Sequence, residues 1–266
     1  MKYFSRARIS FLYVLFLLLC TTSNAFTATP AQCRSQYLNG VEPVILNTKL
    51  SAKTRELCYD NFAVMHSGIS RTPLWSAEHL TRASLTEARQ LVRHNNFHFE
   101  DQLPPGERAE LKDYSRSGFD RGHMAPSADM PTEQAQQQCF TLANMVPQNP
   151  DNNRHLWEGI EASVRNLAIK NGELYVISGP LFLGSDLKRL KGRVLVPTHL
   201  FKVVFDPAEN IGAAYFVKNE EGEEWQVISI SQLEKMAGIN FFPKLSTGTK
   251  QKTLTLPAPR EHQYFK

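Results

Sequence analysis

The sequence predicts an α+β fold in which a mixed, mostly antiparallel central sheet is flanked by helices. Short segments rich in β-branched and aromatic residues recur along the chain and are separated by turn residues, which is typical of strands. Other segments carry helical spacing or helix-capping residues. This combination of elements favours an α+β arrangement.

The predicted strands are short and apolar. Residues 174–180, Leu-Tyr-Val-Ile-Ser-Gly-Pro, predict a buried strand that ends in a turn. Further strands are expected at 44–47, 62–66, 193–196, 199–205, 212–217 and 226–229, and a turn followed by a strand at 67–78. Gly122 and His123 should lie at a strand end, because Met-Ala-Pro then turns the chain.

Helices are expected at 85–94, at 132–143, from Asn152 or Asn153 to about residue 169, and from Ser231. Gly172 stops the third of these, and Ser231 with Glu234 forms a capping-box pattern at the start of the fourth. Loops are expected at 95–117 and 147–150.

The first 25 residues indicate export. Basic residues precede an unbroken apolar run at 11–20, and small residues at Ser23 and Ala25 predict signal-peptide cleavage after Ala25. The run is too short to span a bilayer comfortably. Lipidation at Cys20, which Leu19 disfavours, and a retained membrane anchor remain as alternatives. The mature protein is therefore expected in the periplasm or outside the cell.

Charge is nearly balanced in the mature chain. The full sequence has 30 basic and 26 acidic residues, and residues 1–25 hold three basic and no acidic ones, which leaves 27 against 26. Any attraction to phosphate must therefore come from a local cluster. With 42% hydrophobic residues and no long linker, residues 26–266 are predicted to form one domain with one core.

Three cysteines remain after cleavage. Cys33 and Cys58 both flank irregular stretches near the N-terminus and are the best disulfide candidates in an exported protein. Cys139 lies next to apolar residues and is expected to be a small buried side chain, although an intermolecular bridge remains open. No zinc-site spacing is present.

The segment Asp120-Arg121-Gly122-His123 brings a carboxylate, a cation and a base together within four residues. Histidine has a pKa that suits it to take a proton from water, and the glycine allows close backbone approach. An isolated histidine is usually structural, but Arg121 two residues earlier adds a cation for phosphate. His155 is a competing candidate, because it lies on the helix considered next.

Asn153, Trp157, Glu161 and Arg165 follow at a spacing of four, which places them on a slowly turning helical stripe. Two interpretations remain open from the residues alone. The stripe is either a solvated face with a weak Glu161–Arg165 ion pair, or a site where Asn153 binds a hard cation and Glu161 holds one of its waters. Arg71 is a surface arginine unless the fold brings it near Arg121.

Together with Asn144-x-x-Pro147-Gln148, these residues resemble the DNA/RNA non-specific endonuclease family, the ββα-metal or His-Me finger nucleases. The resemblance covers roughly residues 58 to 235. It implies an α+β fold with a ββα-metal active-site motif, an Mg²⁺ cofactor with Mn²⁺ as a substitute, and DNA and RNA as substrates.

The resemblance also implies roles for individual residues. His123 is the general base, Asn153 binds the metal directly, and Glu161 orients a metal-bound water. Arg121 and Arg165 contact phosphate, and Arg71 matches a substrate-binding arginine less securely. Asp120 and Asn144 match supporting positions.

The sequence therefore predicts an exported, Mg²⁺-dependent, sugar-non-specific endonuclease that leaves 5′-phosphate and 3′-hydroxyl ends. Two alternatives are a nucleic-acid binding or uptake protein and a narrow nucleotide phosphodiesterase. An intact base and metal site would argue against the first, because binding alone needs no base.

Overall fold

A computed structural model describes residue 1 and residues 31–259 of the chain. The strands are β1 Val44–Ile45, β2 Thr54–Cys58, β3 Ala63–Ser67, β4 Thr72–Thr81, β5 Asp120–His123, β6 Met145–Gln148, β7 Glu173–Leu181, β8 Arg189–Leu190, β9 Val194–Leu195, β10 His199–Asp206, β11 Ile211–Lys218, β12 Trp225–Ile228 and β13 Ile239–Asn240. The predicted signal peptide lies almost wholly outside the described residues.

The α-helices are α1 Ala31–Arg34, α2 Arg82–Ala88, α3 Leu111–Tyr114, α4 Glu133–Cys139, α5 Pro150–Asn152, α6 Glu158–Asn171, α7 Ile230–Ala237 and α8 Thr247–Gln251. A π-helical segment at Asn153–Trp157 joins α5 to α6. Within the described part of the chain, no helix has both the length and the apolar character that a membrane crossing requires.

The main sheet has seven strands in the order β12-β11-β10-β7-β4-β3-β2, and each neighbouring pair is antiparallel. The predicted α+β class with a mostly antiparallel sheet is confirmed. Strands β5 and β6 form a separate antiparallel pair, as do β8 with β9 and β1 with β13.

Both faces of the central strands are covered, which explains their continuous apolar runs. In β10, Phe201 and Val203 belong to the core that contains α7, whereas Leu200 and Val204 belong to the core beneath α6. This alternation follows from the two-residue period of a strand. Helix α6 is thereby fixed on one face of the sheet, where it carries part of the candidate site.

Several predicted boundaries differ from the structure. The second helix begins at Arg82, because Thr81 caps it through the amide of Ser84, and it ends at Ala88. The capping box of α7 starts at Ser229, not Ser231. Strand β2 was not predicted, since two adjacent charged residues interrupt any apolar pattern in this edge strand and only Leu57 is buried.

A disulfide joins Cys33 in α1 to Cys58 at the end of β2, as the sequence predicts. Cys139 is a free, buried thiol, and its Sγ lies 3.0 Å from the carbonyl oxygen of Gln136. The disulfide ties the N-terminal segment to the edge of the main sheet.

Replacing both Cys33 and Cys58 with serine is expected to lower the free energy of unfolding by about 3 kcal/mol, because the bridge constrains a loop of 25 residues in the unfolded chain. Urea denaturation measures this loss, with Cys139→Ala as the variant that keeps the bridge. Non-reducing peptide maps that place Cys139 in a disulfide would contradict the pairing.

Candidate active site

Strands β5 and β6 place the motif residues on a short antiparallel ribbon. Asp120 lies opposite Gln148, and His123 lies opposite Met145. Residues 147 and 148, which were expected to be a loop, belong to β6. Proline is tolerated there because this ribbon has only two strands.

The helical segment after β6 begins earlier than predicted. The side chain of Asn149 accepts hydrogen bonds from the amides of Asp151 (2.9 Å) and Asn152 (3.2 Å), and Pro150 occupies the first helical position. Asn149 is therefore the N-cap, and Asn153 lies inside the helical segment. The two strands and this helix make a ββα arrangement.

Gly122 is required by close packing within the ribbon. A methyl group added at Gly122 would lie 2.6 Å from Cβ of Gln148. The Gln148 amide donates a 2.8 Å hydrogen bond to Oδ1 of Asn152, whose own amide donates to the carbonyl oxygen of Lys218. Gly122 thus lets Gln148 tie the start of the helix to the strand that carries His123.

Gly122→Ala is expected to destabilise the protein by about 1–3 kcal/mol, because Gln148 must move or the strands must separate. Thermal and urea unfolding measure the loss. Gly106→Ala is the matched control, since no atom lies within 4 Å of a methyl group added there. Equal stability of the two variants would show that Gly122 is not constrained.

A cleft of about 840 Å³ opens beside the ββα arrangement. It is lined by Arg93, Asn95, Asn96, Phe97, Leu111, Asp120, Arg121, His123, Pro126, Asn153, Arg154, Glu158 and Glu161. The structure therefore brings together His123, Arg121, Asp120, Asn153 and Glu161 from the predicted set. Arg71, Arg165 and Asn144 are not among the lining residues.

His123 is held as a neutral base. Its side chain packs against Phe140 and Phe97, with ring centroids 4.9 Å and 5.7 Å away. Burial lowers the pKa of His123 to about 3, and the nearby charges of Arg93 and Arg121 act in the same direction. Its buried Nε2 atom has no hydrogen-bond partner in the described structure. A neutral imidazole at pH 7 can accept a proton.

The backbone of His123 is also anchored. Trp157 donates a hydrogen bond from Nε1 to the His123 carbonyl oxygen, at 3.3 Å, and is itself buried. The indole thus joins the helical segment to the end of β5. Its role is structural, as a core tryptophan is expected to be.

The side-chain amide nitrogen of Asn153 already makes a hydrogen bond. Its Nδ2 atom donates to Oδ2 of Asp120 at 3.0 Å, which leaves Oδ1 available as an acceptor. Arg154 holds the same Asp120 carboxylate with two hydrogen bonds of 2.8 Å. Asp120 therefore fixes the orientation of the Asn153 amide, which is a supporting arrangement.

The π-helical segment alters the predicted stripe. Asn153 and Glu161 are eight positions apart, so in a regular α-helix they would be offset by about 80° around the axis. A π turn contains more residues, and each residue therefore contributes less rotation. The segment at Asn153–Trp157 thus brings the two side chains closer to one line, and both line the cleft.

Glu161 is a buried carboxyl group, and its Oε1 atom has no hydrogen-bond partner in the described structure. Burial raises the pKa of Glu161 to about 7, while Lys202 and Arg165 oppose that shift. An acceptor left in this state is stabilised by a cation or an ordered water. The free oxygens of Asn153 and Glu161 fit a hard divalent ion that keeps most of its waters.

In the part of the chain that the structure describes, no larger group of ligand residues competes with this pair. Among residues 31–259, the one group of three close ligand atoms comes from Cys33, Glu56 and Cys58, and the disulfide occupies both sulfurs. A cation in the cleft would therefore have few protein ligands, which suits Mg²⁺.

Arg121 faces the cleft with its guanidinium group 4.0 Å from the ring centroid of Phe97. Stacking on an aromatic face orients the guanidinium group without neutralising its positive charge. Arg93 and Arg154 also line the cleft, together with the carboxyl groups of Asp120, Glu158 and Glu161, so three cations face three acidic groups there. Arg154 is paired with Asp120.

Arg165 does not line the cleft, although its NH2 group lies 3.9 Å from Oε1 of Glu158, which does. Its NH1 group donates to Oδ1 of buried Asp129 at 3.1 Å, and its side chain is 17% exposed. Glu78 on β4 is a fully buried carboxyl group without hydrogen-bond partners among the described residues. Burial raises the pKa values of Asp129 and Glu78, and the charge of Lys202 opposes both shifts. Arg165 thus belongs to a buried charged network next to Glu161.

Asn144 supports the chain that follows His123. Its amide donates to the carbonyl oxygen of Ala125 (2.8 Å) and accepts from the amide of Ala125 (3.0 Å) and from Ser76 (2.8 Å). These bonds connect the main sheet to the turn after β5. The residue is buried and does not face the cleft.

Arg71 lies in the β3–β4 turn with a positive φ of 60°. Its Nε and NH2 groups donate to the carbonyl oxygen of Gly106, at 3.2 and 2.9 Å. The structure does not place Arg71 beside Arg121 in the cleft lining.

The part of the cleft supplied by residues 93–97 and by Arg154 was not predicted from the sequence. Arg93 and Phe97 lie in or beside a polar segment with no helix or strand pattern. The bonds from His98 N to Phe140 O and from Leu142 N to His98 O hold that segment in place. Arg154 was detectable only through its adjacency to Asn153.

Comparisons with known proteins agree on one family. The family model described as DNA/RNA non-specific endonuclease matches residues 43–248. Nuclease C1 of Cunninghamella echinulata is 37% identical over 210 residues, which cover 71% of this chain and 83% of that protein. A nuclease of Nostoc sp. is 34% identical over 216 residues, covering 75% and 77%.

The chain is also similar to a mitochondrial nuclease and to a protein of known structure. The mitochondrial nuclease EXOG of Danio rerio is 37% identical over 210 residues, which cover 70% of this chain and 60% of that protein. A chain in the crystal structure of the EndoG/EndoGI complex superposes with a TM-score of 0.70 at 27% identity, covering 85% of this chain and 98% of that one.

Proposed function

The chain belongs to the DNA/RNA non-specific endonuclease family, and on that premise we propose that it is an exported, Mg²⁺-dependent enzyme that cleaves both DNA and RNA. One observation carries the proposal: a buried His123, the Asn153 amide and a Glu161 oxygen without a hydrogen-bond partner among the described residues line the same cleft as Arg121. A base, a cation site and a phosphate-binding group are the parts that phosphodiester hydrolysis needs.

In this proposal His123 accepts a proton from the attacking water, and burial keeps its imidazole in the neutral form that can do so. Arg121, oriented by Phe97, binds the scissile phosphate and offsets its charge. Arg165 holds Asp129 through an ion pair and places a positive charge near Glu161.

Asn153 would hold Mg²⁺ directly through Oδ1, and Glu161 would hold it through a water; Mn²⁺ is the expected substitute. The ion, when bound, supplies positive charge that stabilises a pentavalent phosphoryl transition state. Asp120 acts on the ion only indirectly, because it fixes the Asn153 amide. The products are 5′-phosphate and 3′-hydroxyl ends.

Export is part of the proposal. It is supported by the signal-peptide pattern of residues 1–25 and by the Cys33–Cys58 disulfide, which is typical of oxidising compartments. Fractionation of cells into cytoplasm, periplasm and medium tests it, and retention of the uncleaved chain in the cytoplasm would overturn it.

A substrate panel tests the activity. Plasmid, heat-denatured DNA and ribosomal RNA are all expected to be cut with little sequence preference, because the cleft residues named above address phosphate and metal rather than base edges. Cleavage should slow as salt is raised. Restriction to one sugar or to dinucleotides would contradict the proposal, and binding without cleavage would indicate an uptake protein.

A further inference from the structure

A basic segment lies outside the candidate active site. Residues 188–193, Lys-Arg-Leu-Lys-Gly-Arg, contain four cations and no acid. They form β8 and the turn into β9, where Leu190 and Val194 are buried while Arg189 and Lys191 are exposed. The hairpin therefore turns its apolar side inward and its charges outward.

Arg71 joins this segment in space. The amide of Leu195 donates to the carbonyl oxygen of Ser70 at 2.9 Å, and the guanidinium of Arg189 donates to that of Ile69 at 3.3 Å. Lys191 donates from Nζ to the carbonyl oxygen of Lys112. We define the basic shoulder as Arg71, Lys112, Arg189 and Lys191.

The shoulder is not neutralised by neighbouring acids. Its four cations form no ion pair with any residue in 31–259, and the donors of Arg71, Arg189 and Lys191 contact main-chain carbonyls. Asp113 is buried and pairs with Arg193 at 3.0 Å, while Glu107 pairs with Arg55 and Lys53. Partial burial and the charges of Arg193 and Arg189 lower the pKa of Arg71, and the charge of Asp113 only partly opposes that shift.

The basic shoulder and the cleft pack against the same hydrophobic cluster. Leu190 and Val194 pack in one cluster with Tyr114 and with Met145, the partner of His123 on β6. Phe97, which stacks on Arg121, packs against the same cluster. Lys112 follows Leu111, which lines the cleft.

We propose that the basic shoulder binds the sugar–phosphate backbone of a polynucleotide whose scissile bond lies in the cleft. The inference rests on the proposed function and deepens it, because it makes long polyanions the preferred substrates. Duplex DNA carries one charge per about 1.7 Å of its axis, so a strand leaving the cleft presents several phosphates to a row of unpaired cations.

The test uses Arg189→Glu/Lys191→Glu, two exposed positions outside the catalytic site. Lys235→Glu/Lys244→Glu is the matched control, with the same charge change at exposed positions near α7, which packs on the opposite face of the main sheet from α6. Arg189→Gln/Lys191→Gln is a milder variant in case charge reversal disturbs folding, and thermal melting checks each protein.

Binding is measured in a His123→Ala background with EDTA, using a fluorescent 20-base-pair duplex at several salt concentrations. The shoulder variant is expected to bind about tenfold or more weakly at 0.1 M salt, with the slope of log K against log salt reduced by about 2. In the active enzyme, KM for duplex DNA should rise while kcat at saturation stays unchanged.

The possible outcomes separate the two claims. If the shoulder variant matches the control in affinity and salt slope while the wild type cleaves DNA, the shoulder inference is overturned and the proposed function stands. If the wild type cleaves no polynucleotide, the proposed function itself fails. A fall in kcat without a change in KM would also overturn the shoulder, since it would indicate a disturbed active site.

Discussion

Replacing His123 with alanine is expected to slow phosphodiester cleavage by about 10²–10⁴-fold, the usual contribution of a general base. The imidazole is neutral at pH 7 because burial and two neighbouring arginines oppose its protonation, so its removal takes away the group that accepts a proton from water. Initial rates of plasmid nicking at saturating Mg²⁺ measure the effect.

His155→Ala is the matched control for this prediction. His155 lies on the same helical segment as Asn153, but its side chain is 47% exposed and contacts Asp151 at 2.8 Å. Its loss should leave the rate close to that of the wild type. Near-wild-type nicking by a folded His123→Ala protein would remove His123 from the mechanism.

Asn153→Ala is expected to produce the second large effect, through the metal. Losing Oδ1 removes the proposed direct protein ligand, so the Mg²⁺ concentration for half-maximal activity should rise by more than about 100-fold. Glu161→Gln should raise it by about 10–100-fold, because that side chain acts through a water. Magnesium titrations of the initial rate, together with calorimetric Mn²⁺ binding, measure both.

Asn166→Ala supplies the control for the helix. Asn166 lies farther along α6, and its side chain bonds only to the carbonyl oxygen of Ala162 and to Arg89. The half-saturation concentration should not change in this variant. If Asn153→Ala binds Mn²⁺ as tightly as Asn166→Ala does, the stripe on α5–α6 is a surface feature rather than a cation site.

Periodicity in the sequence was enough to predict the centre of the fold. Strand β10 was predicted almost to its ends, because its apolar run supplies Phe201 and Val203 to one core and Leu200 and Val204 to the other. Strand β2 was missed because only one face of an edge strand is buried, and its charged residues pair with Glu107 or Tyr37 rather than forming an apolar pattern.

The candidate site could be predicted where its functional side chains lie close together in the sequence. His123, Arg121 and Asp120 are nearly contiguous, and Asn153 and Glu161 follow on one helix, so their joint presence in the cleft follows from a short segment of sequence. The π turn at Asn153–Trp157 could not be predicted, since its residues carry no local signal for a wider turn.

Residues that act through tertiary contacts were the hardest to predict. Arg93 and Phe97 reach the cleft because the polar segment around them is bonded to the chain after α4, near Phe140 and Leu142. Arg165 was predicted to contact phosphate because its spacing along the helix matches Asn153 and Glu161. Its guanidinium group instead pairs with the buried Asp129. Long-range pairing of this kind is not encoded in spacing.

The most direct measurement of the central claim is the ligation of nicks that the purified protein makes in closed circular DNA. DNA ligase seals only nicks with a 5′-phosphate and a 3′-hydroxyl. The account predicts that Mg²⁺ allows nicking, that EDTA abolishes it, and that ligase restores the closed circles. Nicking that persists in EDTA, or nicks that ligase does not seal, would contradict a metal-dependent hydrolysis that leaves 5′-phosphate and 3′-hydroxyl ends.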